Sequence, residues 1–498
     1  MDILNKSVAV LLLFSLLGAS AQDNVFLERD YWTTHPSKAQ IEKDIASGND
    51  ISALNEYAFD AVTLALLEKV DNETIKYLLG KEGNGVNKLT HDARTYIFWA
   101  AYKDNLAMME YLLQQGAKTD IVDSHGYSLL NFAAVTGQTN TRLYDFILDH
   151  GANIQSEINR NGANALLLVA PFIQDFAGID YFVGKGLSLR DTDEHGNGIF
   201  SYAAKGGNLP ILKKLVNQGV PYAGLNKTGG NAMLMASQGT RGNPNTLETY
   251  KYLESLGIDA NITDQSGNNP LHNIAYSVAE PSIYNYFLEQ GISVDQKDED
   301  GRTPFMNAAQ YNDLDVIKLL AESAQNIDAQ DKEGRTALAL AVHRNQPEVV
   351  AFLLEKGVKT NLKDKNGNTL AYYLMKTYNA KRPEAFEAKL ALLEDKAVSL
   401  NTPQQNMNSL YHLACKSDNL PLLKRLEPYN IPVNAKNANG NTALQLAAMS
   451  AKDDSILKYL IQKGADKTVM TDFEESVFDL ASENELLKAN GIVLDFLK

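Results

Sequence analysis

A chain that repeats one short unit from end to end folds by stacking neighbouring copies, and the 498 residues of this chain do repeat. The segment from Asp298 to Ala309 reads DEDGRTPFMNAA, and thirty-three residues on, Asp331 to Val342 reads DKEGRTALALAV. Related segments begin at Asp123 (DSHGYSLLNFAA), Asp193, Asn226, Asp264, Asp364 and Asn437 (NANGNTALQLAA). More degenerate copies begin at Asn55, Thr90, Asn159, Gln404 and Thr471. The thirteen residues at the glycine position are Ala58, Ala93, Gly126, Gly162, Gly196, Gly229, Gly267, Gly301, Gly334, Gly367, Met407, Gly440 and Glu474. They span 416 residues in twelve intervals, about 34.7 each, and five intervals equal 33. A division into three globular domains, which length alone suggests, is therefore the wrong division.

Each retained position has a physical job. Asp or Asn, two variable residues and Gly make a tight turn, in which Gly supplies the positive φ and Asp bonds its own backbone. Thr303 followed by Pro304 is the clearest helix start, a capping hydroxyl and a first-turn proline. Paired small residues such as Ala133-Ala134 and Ala308-Ala309 let adjacent helices approach, and Leu112-Leu113 and Leu353-Leu354 fill the layer between them. Gly116, Gly357 and Gly464 close second helices as left-handed stops.

The pattern resembles the ankyrin repeat, a turn followed by two helices, over residues 36–498. The resemblance implies an all-α ankyrin-repeat solenoid of helix–turn–helix units with short β-turn fingers. His272 and His412, at the place where the family often carries histidine, are expected to bond between adjacent turns. Ala58, Ala93 and Glu474 point to capping repeats, and Met407 to a weaker internal turn. The intervals of 38 and 40 residues after Gly229 and Gly367 hold insertions, 238–245 and 376–389, expected between the two helices of their repeats.

Acidic residues outnumber basic ones, 61 to 46, for a net charge of −15. That balance disfavours nucleic acid, which needs clustered cations. The lone Cys415 excludes an intrachain disulfide and paired-thiolate zinc sites, and it follows Ala414 where other copies hold buried small residues. Residues 8–17 are apolar except Ser15, and Gly18-Ala19-Ser20-Ala21 ends in small residues at the spacing of a secretory cleavage site. The expectation is a signal peptide over 1–21, a Gram-negative type of export signal, and a mature chain that is periplasmic or secreted, without membrane insertion. The remaining layout is a cap region over 22–54, the repeat array over 55–482 and a cap helix over 483–498.

No HExxH, GxSxG, GxGxxG or phosphate-loop string occurs, so no enzyme, cofactor or metal site is expected. Gln296 to Gly301 imitates a calcium loop, but Gln stands at its first ligand position. What remains is surface. The resemblance implies contact with a protein partner through turn tips and the exposed, concave face of the first helices. The candidate residues are Tyr102, Lys103, His125 and Tyr127 in adjacent repeats, the tip residue His195, Tyr311, and a more basic set of Arg302, Arg335 and Arg344. The resulting expectation is a monomeric, non-catalytic, exported protein-binding scaffold. The alternative is an accessory or protective factor for an exported redox enzyme of catalase type, a role that some periplasmic members of the family suggest.

Overall fold

The computed structural model describes residues 24–498, so the expected signal segment lies outside the described residues. The chain forms two compact units that meet in sequence between Glu194 and His195. Both are built from the same element, a turn followed by a helical hairpin. Helices Pro304–Tyr311 and Leu314–Ser323 are one such pair, and Ala337–Arg344 and Pro347–Glu355 the next. First helices pack on first helices and second on second, as Pro304–Tyr311 does on Ala337–Arg344 and Leu314–Ser323 on Pro347–Glu355. Ala308, Ala309, Ala133 and Ala134 are fully buried at these contacts, where larger side chains would hold the helices apart.

The turns behave as their sequences demand. The Asp298 carboxylate accepts from the backbone N–H of Asp300 and Arg302, so the calcium-like string is spent on its own turn. Thr303 Oγ1 accepts from Met306 N and caps the following helix. Gly267 has φ +82°, and a Cβ there would stand 2.4 Å from the Lys297 carbonyl oxygen, so both conformation and space require glycine. The four exceptions adopt the same left-handed conformation, with φ of 59° at Ala58, 57° at Ala93, 58° at Met407 and 63° at Glu474. Each carries local strain of about 1–2 kcal/mol that the surrounding stack must offset.

Neighbouring turns are tied by backbone bonds. In the second unit Lys227 N donates to His195 O, Gln265 N to Thr228 O, Glu299 N to Ser266 O, Lys332 N to Asp300 O and Lys365 N to Glu333 O, all at 2.7–2.8 Å. Behind the first helices a second set of rungs comes from asparagine. Asn312 Nδ2 donates to Ala275 O, Asn345 Nδ2 to Ala309 O and Asn484 Nδ2 to Ala448 O, each at 3.0 Å. These carbonyls belong to the last helical turn, which has no intrahelical donor for them.

The first insertion lies between the helices of its repeat, and the second does so only over 376–383, because Glu384 to Lys389 already form the start of the second helix. The first separates Ala232–Gln238 from Leu247–Ser255, and Asn245 inside it still donates to Ala204 O at 2.8 Å. The second separates Leu370–Met375 from Glu384–Asp395. There the rung is made by the buried Lys389, whose Nζ donates to Val342 O at 2.9 Å. Burial pushes this ammonium down to about 8. At the chain's start, Trp32 is fully buried with its indole N–H on Phe26 O, and Tyr31 donates to the Asp44 carboxylate.

Candidate interaction surfaces

In the first unit the degenerate turn at Thr90 organises a cluster that pure consensus turns lack. Asp92, at φ 58°, presents its carboxylate to Arg94 Nη1 at 3.1 Å, His91 Nε2 at 3.3 Å and His125 Nε2 at 3.2 Å. Arg94 also reaches Asp123 of the next turn, with Nη2 at 2.7 Å, while its guanidinium lies 4.5 Å over the Phe132 ring. His125 is thus anchored at one ring nitrogen and 56% exposed. Tyr127 N donates to Asp123 Oδ1, and its side chain is half-buried.

Tyr102 is half-buried, its ring 6.5 Å from Trp99 and 6.3 Å from Phe132. Trp99 is buried between repeats and donates to Thr90 Oγ1. Lys103 Nζ sits 5.4 Å over the Tyr102 ring; burial, and then Lys69, push this ammonium below the usual lysine range. Tyr102 and Lys103 are consecutive and share one edge, whereas His125 and Tyr127 belong to the turn.

The remaining candidates lie in the second unit. His195 is exposed at a turn tip and its carbonyl accepts the rung from Lys227. Arg302 folds back along its own helix, Nε donating to Asn307 Oδ1 at 2.7 Å and Nη2 to Gln310 Oε1 at 2.6 Å. Arg335 pairs with Asp331 of its own turn at 2.7 Å. Arg344 is exposed, and Tyr311 is exposed beside Tyr276 at 5.6 Å. Two of the three arginines of the basic set are therefore occupied within their own repeats. His272 and His412 bond between turns as expected, Nε2 facing Arg302 O at 3.2 Å and Asn441 O at 3.0 Å; burial lowers both pKa values. Cys415 is buried and its thiol pushed up by desolvation, away from the reactive thiolate form.

A row missed in the sequence stands four residues before each glycine position. In the first unit it holds Leu54, Leu89, Val122 and Ile158, exposed by 43%, 60%, 62% and 53%, and then Thr192. Successive turns there are stitched together by His91 Nδ1 on Tyr57 O, Ser124 N on Asp92 O and Arg160 Nη2 on Ser124 O, which brings equivalent positions into line. In the second unit the same position holds Leu225, Thr263, Lys297, Gln330, Lys363, Pro403, Lys436 and Met470, of which Leu225 and Met470 are exposed by 66% and 45%. Two of these make internal rungs, Lys297 Nζ to Gln330 O and Gln330 Nε2 to Lys363 O, both at 3.0 Å. The signal was available in the repeat register, as an apolar residue just outside the turn in each of the first four copies.

A family model described as ankyrin repeats, in three copies, matches residues 63–158, 233–331, 271–364, 323–387 and 377–471. Among similar proteins, a putative ankyrin repeat protein of Rickettsia felis is 24% identical over 308 residues, 57% of this chain and 78% of that protein. A transient receptor potential cation channel subfamily A member 1 homolog of Caenorhabditis elegans is 24% identical over 48% of this chain, but only 16% of the channel is covered. Phosphocholine transferase AnkX of Legionella pneumophila is 26% identical over 36% of this chain and 18% of its own length.

Proposed function

Because this chain belongs to the ankyrin-repeat family, we propose that it is a non-catalytic scaffold that binds a partner protein through its turn edges and first-helix faces. The observation that carries this reading is the apolar row Leu54, Leu89, Val122 and Ile158. The second unit spends two of these positions on internal hydrogen bonds and exposes Leu225 and Met470 singly, while the first exposes large apolar side chains in four successive repeats. A row of exposed large apolar side chains in successive repeats costs solubility and is a mark of an interaction surface. His125 and Tyr127, on the turn that follows Val122, and Tyr102, at the end of the preceding repeat's first helix, add polar and aromatic handles of the kind that anchor interfaces.

Among the described residues no helix is long and apolar enough to cross a membrane. We place the scaffold outside the cytoplasm, on the strength of the apolar run at 8–17 and the small residues at 18–21. Fractionation of tagged full-length protein tests that placement, and retention in the cytoplasm would overturn it. Partner capture tests the binding reading. Wild-type protein, cross-linked in an exported-protein extract, should enrich a defined partner, and a Leu89→Lys/Val122→Lys variant should recover at least tenfold less. No enriched partner, or equal recovery by the variant, would sink it.

A further inference from the structure

The second unit holds a groove that the repeat framework does not require. A cavity of about 450 Å³ is lined by Tyr372, Met375, Lys376, Tyr378, Lys416 and their neighbours. It continues past Asn406, Asn408 and Lys416 into a smaller one of about 280 Å³ that reaches Asn439 and Met449. Two departures from the repeat open it. The first helix before the insertion is short, Leu370–Met375 having six residues where Pro304–Tyr311 and Ala337–Arg344 have eight. The turn at Gln405–Met407 has also left the backbone ladder on one side, Gln405 N donating to the Asn368 side chain at 2.8 Å instead of to the preceding turn's carbonyl, while Asn406 O still accepts from Ala438 N.

The chemistry of the groove is the opposite of the molecule's. In a chain of net charge −15, no carboxylate lines either cavity. Lys376 and Lys416 are exposed there, and among the described residues neither ammonium is paired with a carboxylate. Lys381 and Arg382, exposed on the insertion, add two further cations. Lys376 Nζ stands 4.6 Å over the Tyr372 ring, leaving its outer side for a ligand. Gln405, Asn406, Asn419 and Asn439 bring side-chain amide nitrogens that donate to no group among the described residues.

We propose that this groove binds an extended peptide segment of the partner that carries two carboxylates three residues apart. The spacing follows from the repeat. Lys376 and Lys416 each stand nine residues after their glycine position, so their helices are adjacent first helices about 10 Å apart. A polyproline-type segment rises about 3.1 Å per residue with three residues per turn, which puts side chains i and i+3 on one face about 9 Å apart. Free amides suit the open N–H and C=O groups of such a backbone, and the two tyrosines and Met375 suit its apolar flanks. This inference rests on the protein-binding reading and gives that binding a chemistry at a second place.

The test is fluorescence anisotropy on the full chain with a labelled peptide, acetyl-Pro-Pro-Glu-Pro-Pro-Glu-Pro-Pro-amide. Three comparators are used: the same peptide with Gln for Glu, one with adjacent Glu residues, and tri-galacturonate as a competitor. The Glu-x-x-Glu peptide should bind saturably, and either peptide comparator should bind at least tenfold more weakly. Lys376→Gln with Lys416→Gln should remove that preference without altering the thermal melt. Equal affinity for the Glu and Gln peptides, no saturable binding, or binding of the saccharide in place of the peptide would overturn the proposal. The variant Leu89→Lys/Val122→Lys should leave peptide affinity unchanged. Partner capture lost only there, with the peptide result negative, would therefore fell the groove and leave the scaffold standing.

Discussion

The two units solve the same stacking problem with different residues, and the contrast shows where the chain has surface to spare. From His195 to Lys365 every turn hands a backbone N–H to its neighbour, and glycine sits at each turn from Gly196 to Gly367. In the first unit Ala58 and Ala93 hold left-handed backbone, and two of the turn-to-turn ties come from side chains, His91 and Arg160. The register four residues before the glycine then diverges. The second unit spends two of these positions on Lys297 and Gln330 rungs and exposes Leu225 and Met470 singly, whereas the first exposes Leu54, Leu89, Val122 and Ile158 in four successive repeats. Stability comes from neighbour interfaces in such arrays, so a position not needed for the interface is free to serve something else.

The largest effect should come from reversing the turn chemistry. Gly267→Val puts a branched side chain at φ +82° with its Cβ against a fixed backbone oxygen, and should cost about 3 kcal/mol or more. Ala93→Gly in the first unit relieves a left-handed alanine and should stabilise by about 1 kcal/mol. Urea denaturation of full-length variants reads both. An unstable Ala93→Gly would mean that the left-handed alanine is not the strained element of its turn.

A smaller effect is expected at the insertion, where lysine does the work of asparagine. Lys389→Ala strands the Val342 carbonyl and should cost about 1–3 kcal/mol, the usual penalty for an unmade buried hydrogen bond. The same region sets a pH dependence. Burial, and then Arg344, Lys376, Lys389 and Arg335, push His343 down to about 4. Between pH 6.5 and 4 the unfolded chain takes up a proton that the folded chain refuses, so this group makes stability fall as pH falls through that window. His343→Phe should flatten the decline in urea midpoint, and an unchanged slope would remove His343 from the account.

Much of the fold was legible because its signals are local. Gly267 and Gly301 at turns, Thr303 at a helix start, and His272 and His412 between turns all behave as their neighbours in sequence require. The surfaces were less legible because they depend on which partner a side chain finds across repeats. Arg94, Arg302 and Arg335 occupy one register, immediately after the glycine position. Yet Arg94 crosses to Asp123 of the next turn, Arg302 lies along its own helix on Asn307 and Gln310, and Arg335 closes on Asp331 of its own turn. Charge and register are identical, and local packing decides the destination. The groove was hidden for the same reason, since the 376–389 insertion and the Met407 turn are separate oddities in sequence and adjoin only in the folded chain.

The smallest effect separates surface kept for binding from surface kept for stability. Gln330→Val removes the bond to Lys363 O and should cost about 0.5–1 kcal/mol, since the group it strands is open to water. The reciprocal Val122→Gln replaces a residue 62% exposed, so nothing is lost from the core, and its stability should stay within about 0.5 kcal/mol of wild type or rise. Partner recovery should move the other way, falling with Val122→Gln and holding with Gln330→Val. A valine that can be exchanged without loss of stability, yet not without loss of binding, is retained for the partner; a Val122→Gln variant that unfolds more readily would return that residue to the scaffold's own architecture.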